Sequence, residues 1–405
     1  MSAAEGKGGS ALRAIVRERS VAAVMALALF INLGTGIVIP ILPLYARSLG
    51  ADYGQAGLLV GAYYLARLMS DLAAGMVLRR LGIRRAAVAG LLLLATGALL
   101  TGISPSFPLA LITWFVAGAG GGTVFAAMYN ALIRGVAKER MARALSLFYG
   151  AFNSGVVAGG FLGGLVAGRF GLNVPLFCLA GVAVALAIVM ARVMRDQPPS
   201  LTLPPQAGGG NSLKLFRIPG FGAAVISVLA NLWMFGAVFN TLVPLFGHEI
   251  LHLSTFGIGV VYAIALAAEF IAYYPAGTWA DTRGRRFVLI PSFALLAAAT
   301  AVVGWSDNVA VFALLLAVLG IASGFAGVPP AAILADVLPE NESARGVATF
   351  RFGADVGYTL GPLVAGLTAA SFGFRAAFIA AALPCLLALL VVSRGRETLR
   401  LSQTA

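Results

Sequence analysis

Long apolar runs follow one another along nearly the whole chain, separated by short polar stretches in which arginine recurs. A membrane-crossing helix needs about 20 mostly apolar residues, because each residue advances it about 1.5 Å through a hydrocarbon core of about 30 Å. Twelve segments qualify: 21–45, 54–78, 86–104, 107–133, 144–168 and 173–191, then 219–246, 256–280, 287–305, 309–335, 346–371 and 375–393. They are numbered spans 1 to 12. The gap after span 6 reads DQPPSLTLPPQAGGGNSLKLFRIPG, residues 196–220, and its proline and glycine content marks a flexible linker. The pattern therefore predicts an all-α membrane protein: a six-helix bundle over 1–195, a linker over 196–218 and a second six-helix bundle over 219–405. The first run is long and lacks a small-residue cleavage site, so a retained helix is expected rather than a signal peptide.

Composition identifies the solvent. A soluble domain carries about 25% charged residues, whereas this chain has 11% charged and 60% hydrophobic residues and a mean hydropathy of +0.95. So few charges leave most of the surface to lipid. The net charge of +13 would suit nucleic acid if it formed one patch, but the basic residues cluster in short segments between the apolar runs. On one side fall Lys7, Arg13, Arg17 and Arg19, then Arg79, Arg80, Arg84 and Arg85, then Arg134, Lys138, Arg140 and Arg143. Arg192, Arg195, Lys214, Arg217, Arg283, Arg285, Arg286, Arg345, Arg394, Arg396 and Arg400 share that side, and only Arg47, Arg169 and Arg375 fall on the other. The positive-inside rule then expects both termini and the linker in the cytoplasm of a cell whose inner membrane holds the chain, with lipid and not nucleic acid as its surroundings.

The two halves repeat. GMVLRRLGIRR (75–85) follows span 2 and GTWADTRGRRF (277–287) follows span 8, an offset of 277 − 75 = 202. RALSLFYGAFNSGVVAGG (143–160) and RGVATFRFGADVGYTLGP (345–362), which lead into spans 5 and 11, have the same offset, 345 − 143 = 202. Parallel six-helix repeats with the site between them are a known transporter design. The second of the loops, through Gly277, Asp281, Gly284, Arg285 and Arg286, resembles the loop signature Gly-x-x-x-Asp-Arg-x-Gly-Arg-Arg of the major facilitator superfamily, with Thr282 at the first Arg. The likeness covers essentially the whole chain. Gly34, Pro40 and Pro43 in span 1 are similar to the Gly-x(5)-Pro-x-x-Pro pattern of its drug/proton antiporter branch; Trp114 and Val156 stand where that branch has Arg and Pro.

The resemblance implies alternating access, with spans 1, 4, 7 and 10 lining the cavity. Asn32, Trp114, Asn130, Asn231, Trp233 and Asn240 are then the substrate-binding candidates, together with Tyr129 and Phe235. Such a wall suits an uncharged or amphipathic organic molecule better than a multiply charged one, which would want Arg or Lys. It also implies that Gly277, Asp281, Gly284, Arg285 and Arg286 act in gating, Asp281 approaching the start of span 5.

Five ionisable residues sit inside spans: Arg67, Asp71, Glu269, Arg351 and Asp355. Burial of such groups in lipid is costly and marks function, although they can also simply hold helices together. With span 2 facing span 11 as the resemblance implies, helical rise sets Asp71 level with Arg351, and Arg67 level with Asp355, in a gate. Two arginines against three carboxylates leave Glu269 over. The offset of 202 puts it with Asn153, Tyr149 and Tyr273, which hydrogen-bond but do not neutralise. A carboxyl group taken from water without a counter-charge favours its protonated form, so Glu269 is the expected proton carrier, with Asp71 and Asp355 as further proton-coupling candidates.

Other motifs have plainer readings. HEILH (248–252) has the zinc-hydrolase spacing, but the chain has two histidines in all and the segment falls in a short loop. GAGGGT (118–123) lies inside an apolar run with no strand before it, so helix packing is expected rather than nucleotide binding. Cys178 and Cys385 belong to no metal spacing, and no GxxxxGK[ST] phosphate loop is present. The expectation is a monomeric, cofactor-free secondary transporter rather than an enzyme. It would export lipophilic or amphipathic compounds against protons; the alternatives are proton-coupled uptake of a neutral solute and a receptor without flux.

Overall fold

The computed structural model describes residues 19–136, 141–194, 212–339 and 342–399. Ten helical stretches within them are long and apolar enough to cross a membrane. Two of these, Tyr53–Gly102 and Arg345–Arg394, are 50 residues long and bend once, at Gly82 (φ 77°) and at Gly373 (φ 81°). Glycine adopts that backbone without a Cβ clash. Each piece beside a bend is about 30 Å or longer at helical rise, so each long helix holds two crossings. All twelve expected spans are thus present.

Proline and a wide turn shape the spans that were expected to line a cavity. Span 1 runs Arg19–Val38, breaks at Pro40 and resumes as Leu42–Ser48, since proline has no N–H for the preceding turn. Span 10 runs Val309–Gly327 and resumes at Pro329–Val337. Span 7 joins Phe221–Met234 to Val243–Glu249 through a π-helix, Phe235–Leu242. Inside it the Thr241 hydroxyl donates to the Gly236 carbonyl over 2.9 Å. Such wide turns are rare and concentrate at functional sites.

The described residues form two compact units. The first takes 19–39, 66–136, 141–163 and 173–194; the second takes 40–65, 164–172, 212–339 and 342–399. One end of spans 1, 2 and 5 belongs to the second unit and packs within it. Small residues make that packing possible. A Cβ at Gly57 would overlap the Pro362 carbonyl, and one at Gly164 would lie 2.8 Å from the Gly259 Cα. The linker's residues 196–211 lie outside the described residues, and Ser212–Arg217 is a short 3-10 helix. In the first unit, GAGGGT lies within span 4, Phe107–Gly135, where Gly120 packs directly on the Leu94 backbone. Close approach of this kind provides helix association where lipid is as apolar as leucine.

Candidate functional site

Span 8, Thr255–Arg283, carries Glu269 at its middle, about 21 Å by helical rise from either end. The residue is 3% exposed. Its Oε1 accepts a hydrogen bond from the Tyr273 hydroxyl at 2.9 Å and lies 3.3 Å from Ser323 Oγ of span 10. Ser323 Oγ in turn lies 3.0 Å from Oδ1 of Asn231 on span 7. Glycine sets this geometry: a Cβ at Gly320 would overlap the Ala265 carbonyl, and one at Gly324 would sit 2.5 Å from the Glu269 carbonyl. Spans 8 and 10 therefore meet backbone to backbone, and a side chain as short as serine reaches the carboxyl group. Among the described residues no ion pair includes Glu269.

Tyr273 is thus beside Glu269 as the repeat suggests, whereas Asn153 and Tyr149 belong to the first unit. The partners that sequence reasoning did not name are Ser323 and Asn231. Internal symmetry relates helices, but it does not say which way a side chain leaves its own.

The remaining wall candidates separate into three kinds. Asn32 and Asn130 each donate to the carbonyl four residues back, Ala28 and Ala126, both at 2.8 Å. Trp114 is buried, and the Trp233 indole N–H is buried with no hydrogen-bond partner among the described residues. Asn240 lies inside a tyrosine cluster instead: its Nδ2 donates to the Tyr64 hydroxyl at 3.1 Å and its Oδ1 accepts from Tyr262 at 3.0 Å. Tyr64 stacks on Tyr358 with ring centroids 4.5 Å apart.

Of the charged residues inside the spans, Arg67 lies in the first unit with its guanidinium 4.8 Å from the Phe125 ring centroid. Asp71 is in the same unit, and Arg351 and Asp355 are in the second, all three half-buried. The signature loop closes on its own half. Arg285 forms ion pairs with Asp281 and, at 3.2 Å, with Asp336. Glu397, beyond span 12, accepts from the backbone N–H of Arg285 at 2.9 Å and of Arg286 at 3.0 Å. The carboxylate so caps span 9, Arg285–Val303, where exposed amides and the helix dipole favour an anion. A Cβ at Gly284 would crowd the same carboxylate, whereas one at Gly277 would lie 3.8 Å from Val328 Cγ1, an ordinary packing distance. The Arg286 guanidinium donates to the Val392 and Ser393 carbonyls at 3.0 and 2.6 Å. Asp336 and Glu397 are acids at span ends in the sequence, with nothing there to name their partners.

The HEILH segment does not keep a helical register. His248 is in the last turn of Val243–Glu249, His252 sits beyond it at φ 50°, and Glu249 pairs with Arg47 at 3.2 Å.

Twelve apolar spans, with a buried carboxyl group hydrogen-bonded in mid-span, define a polytopic membrane protein with a polar centre inside its second unit. The Major Facilitator Superfamily profile matches residues 24–272 and 249–403, and the chain belongs to that family. It is similar to the multidrug resistance protein MdtG of Dickeya zeae, 35% identical over 167 residues, which are 38% of this chain and 40% of that protein. MdtG of Citrobacter koseri is 33% identical over 175 residues, 40% of this chain and 42% of its own length. The match thus spans about two fifths of these relatives. Among solved structures, a bacterial homologue of the human lysosomal transporter Spinster superposes with a TM-score of 0.79 at 13% identity, covering 94% of this chain and 97% of that one. The nucleoside transporter NupG superposes at 0.77 and 12% identity, covering 92% and 99%. Both share the fold.

Proposed function

We propose that the chain is a secondary active transporter of the bacterial inner membrane, exporting small lipophilic or amphipathic organic compounds in exchange for protons. The observation that carries this reading is Glu269. It is a carboxyl group at mid-span, buried, within reach of two hydroxyl groups and in no ion pair among the described residues, and one residue removed from the cavity candidate Asn231. An intramembrane acid so placed can take up and release a proton as access alternates. Asn231 and Trp233, whose indole N–H has no partner among the described residues, supply polar contacts for the substrate. Likeness to multidrug resistance proteins supports lipophilic substrates. Arg67, Asp71, Arg351 and Asp355 are assigned to gating, since a charge at a helix centre costs about 2.5–3.5 kcal/mol on insertion scales and is kept where it acts. The arginine-rich loops and both termini face the cytoplasm.

The test is Glu269→Gln in proteoliposomes under an imposed pH gradient, with lipophilic cations and neutral drugs as probes. Loss of pH-driven flux with exchange of substrate across the membrane retained is the expected result. Undiminished dependence on the gradient in this variant excludes Glu269 as the carrier.

A further inference from the structure

Ser323 stands between two acceptors with a single hydroxyl hydrogen. Its Oγ is 3.0 Å from Asn231 Oδ1 and 3.3 Å from Glu269 Oε1, so it can donate to one of them at a time. Which one it chooses depends on the charge of the carboxyl group, because a hydrogen bond to an ionised acceptor is roughly twice as strong as one between neutral groups. With Glu269 neutral, the hydroxyl donates to Asn231 Oδ1, the shorter of the two contacts. With Glu269 ionised, the hydroxyl turns to Oε1, and its lone pairs then face Asn231 Oδ1, acceptor against acceptor. The amide relieves this by turning end for end, so that Nδ2 donates to Ser323 Oγ. No proton is transferred through Ser323; only the direction of the hydrogen bonds reverses.

We infer that Ser323 is a positioning residue that reports the proton on Glu269 to Asn231 by setting which end of the Asn231 amide is spent on the protein. In the protonated state Nδ2, now beside Gly327 at a separation that would leave 3.2 Å to a Cβ, remains as a donor. In the ionised state Oδ1 remains as an acceptor. An acceptor favours a substrate that carries an N–H group or a cationic centre, and a donor disfavours it. Proton and cationic or N–H-bearing substrate thereby exclude each other although they need not share an atom. This assignment rests on Glu269 being the proton carrier, and it names the substrate chemistry that carrier would select.

The titratable groups around the carboxyl are tyrosines: Tyr273, which donates to it, and Tyr262 on span 8, with Tyr358 on span 11. From spans 7 and 10 come the neutral Asn231 and Ser323. No cation among the described residues competes for the serine's hydrogen bond by an ion pair to Glu269.

Infrared difference spectra of the full chain in lipid nanodiscs, recorded across a pH titration, test the relay without a known substrate. The carboxylic C=O band absent from Glu269→Gln identifies Glu269, and the amide band absent from Asn231→Leu identifies Asn231. In the wild type both bands are expected to change at the same midpoint. In Ser323→Ala the carboxyl band still titrates and the amide band stays fixed, whereas Ser323→Thr, which keeps the hydroxyl, restores the paired change. An amide band that moves with pH in Ser323→Ala as it does in the wild type overturns the relay and leaves Glu269 as carrier. A spectrum in which Glu269→Gln removes no titrating band overturns the carrier itself. If Ser323→Ala fails to fold, Ser323→Cys, a weaker donor of similar size, should reduce the amide shift; a full-sized shift in it counts against the relay equally.

Discussion

At the scale of single residues, Asn240 shows how a polar side chain can be legible in the sequence while its role is not. The run around it marks an asparagine in an apolar span, which suggests a cavity wall. In the fold its two ends are engaged by Tyr64 and Tyr262, tyrosines 176 and 22 residues away that no local pattern connects to it. The same limit hid Ser323: one serine in an apolar run is indistinguishable from a small packing residue until a neighbouring helix brings a carboxyl group against it. Glu269, by contrast, was legible at once, because an acid in mid-span has no apolar reason to be there. Hydrogen bonds between membrane helices average about 0.6 kcal/mol and reach about 1.7 in double-mutant cycles. A cycle of Asn240→Leu with Tyr262→Phe, read by unfolding in denaturing detergent, is therefore expected to give a coupling energy of about 0.6–1.7 kcal/mol. Strict additivity would show that the 3.0 Å contact contributes nothing.

Among the helices, the twelve spans and their order follow from run length alone, and the six-plus-six repeat from two matching offsets. The breaks do not. The π-helix Phe235–Leu242 leaves no mark in the hydrophobic pattern, and the glycine bends look like ordinary membrane glycines until φ is known. At Gly373, φ 81° and ψ 172°, a Cβ would meet nothing within 4 Å, and the same is true of Gly181, which has ordinary helical geometry. The pair separates backbone strain from crowding. Gly373→Ala should destabilise by about 1–3 kcal/mol, the cost of placing a side chain in that region, while Gly181→Ala should be neutral or slightly stabilising; thermal unfolding in one detergent checks both. The attachment of the C-terminal segment to span 9 makes a pH prediction. Burial works to raise the pKa of Glu397, but backbone N–H groups of Leu399, Arg286, Arg285 and Thr398 together outweigh it and hold the carboxyl below its ordinary 4.5. A lowered carboxylate contributes stability that is complete above the unfolded value and lost as pH falls through the folded one. Protease protection of residues 395–399 should then stay constant from neutral pH down to about 5 and fall below the ordinary carboxylate value, and Glu397→Gln should remove that acid step.

For the molecule as a whole, orientation follows from the charges outside the helices. Arg79 and Arg80 are exposed beside the Gly82 bend, and Asp281, Thr282 and Arg283 are exposed in the equivalent loop of the second half. The opposite ends of the spans carry Arg47, held by Glu249, and Arg375, with its guanidinium 5.8 Å from the Trp305 ring centroid. Moving each positive charge outward across a membrane that is negative inside costs about 2.3 kcal/mol per 100 mV, so the arginine-rich loops are expected on the inner side. Single cysteines test this in a chain carrying Cys178→Ser and Cys385→Ser, the natural cysteines being partly buried and buried. Asp52→Cys and Asp307→Cys, at exposed positions on the arginine-poor side, should react with a membrane-impermeant maleimide on intact cells. Arg80→Cys should react only after the cells are permeabilised. Labelling of Arg80→Cys in intact cells would place the loops outside.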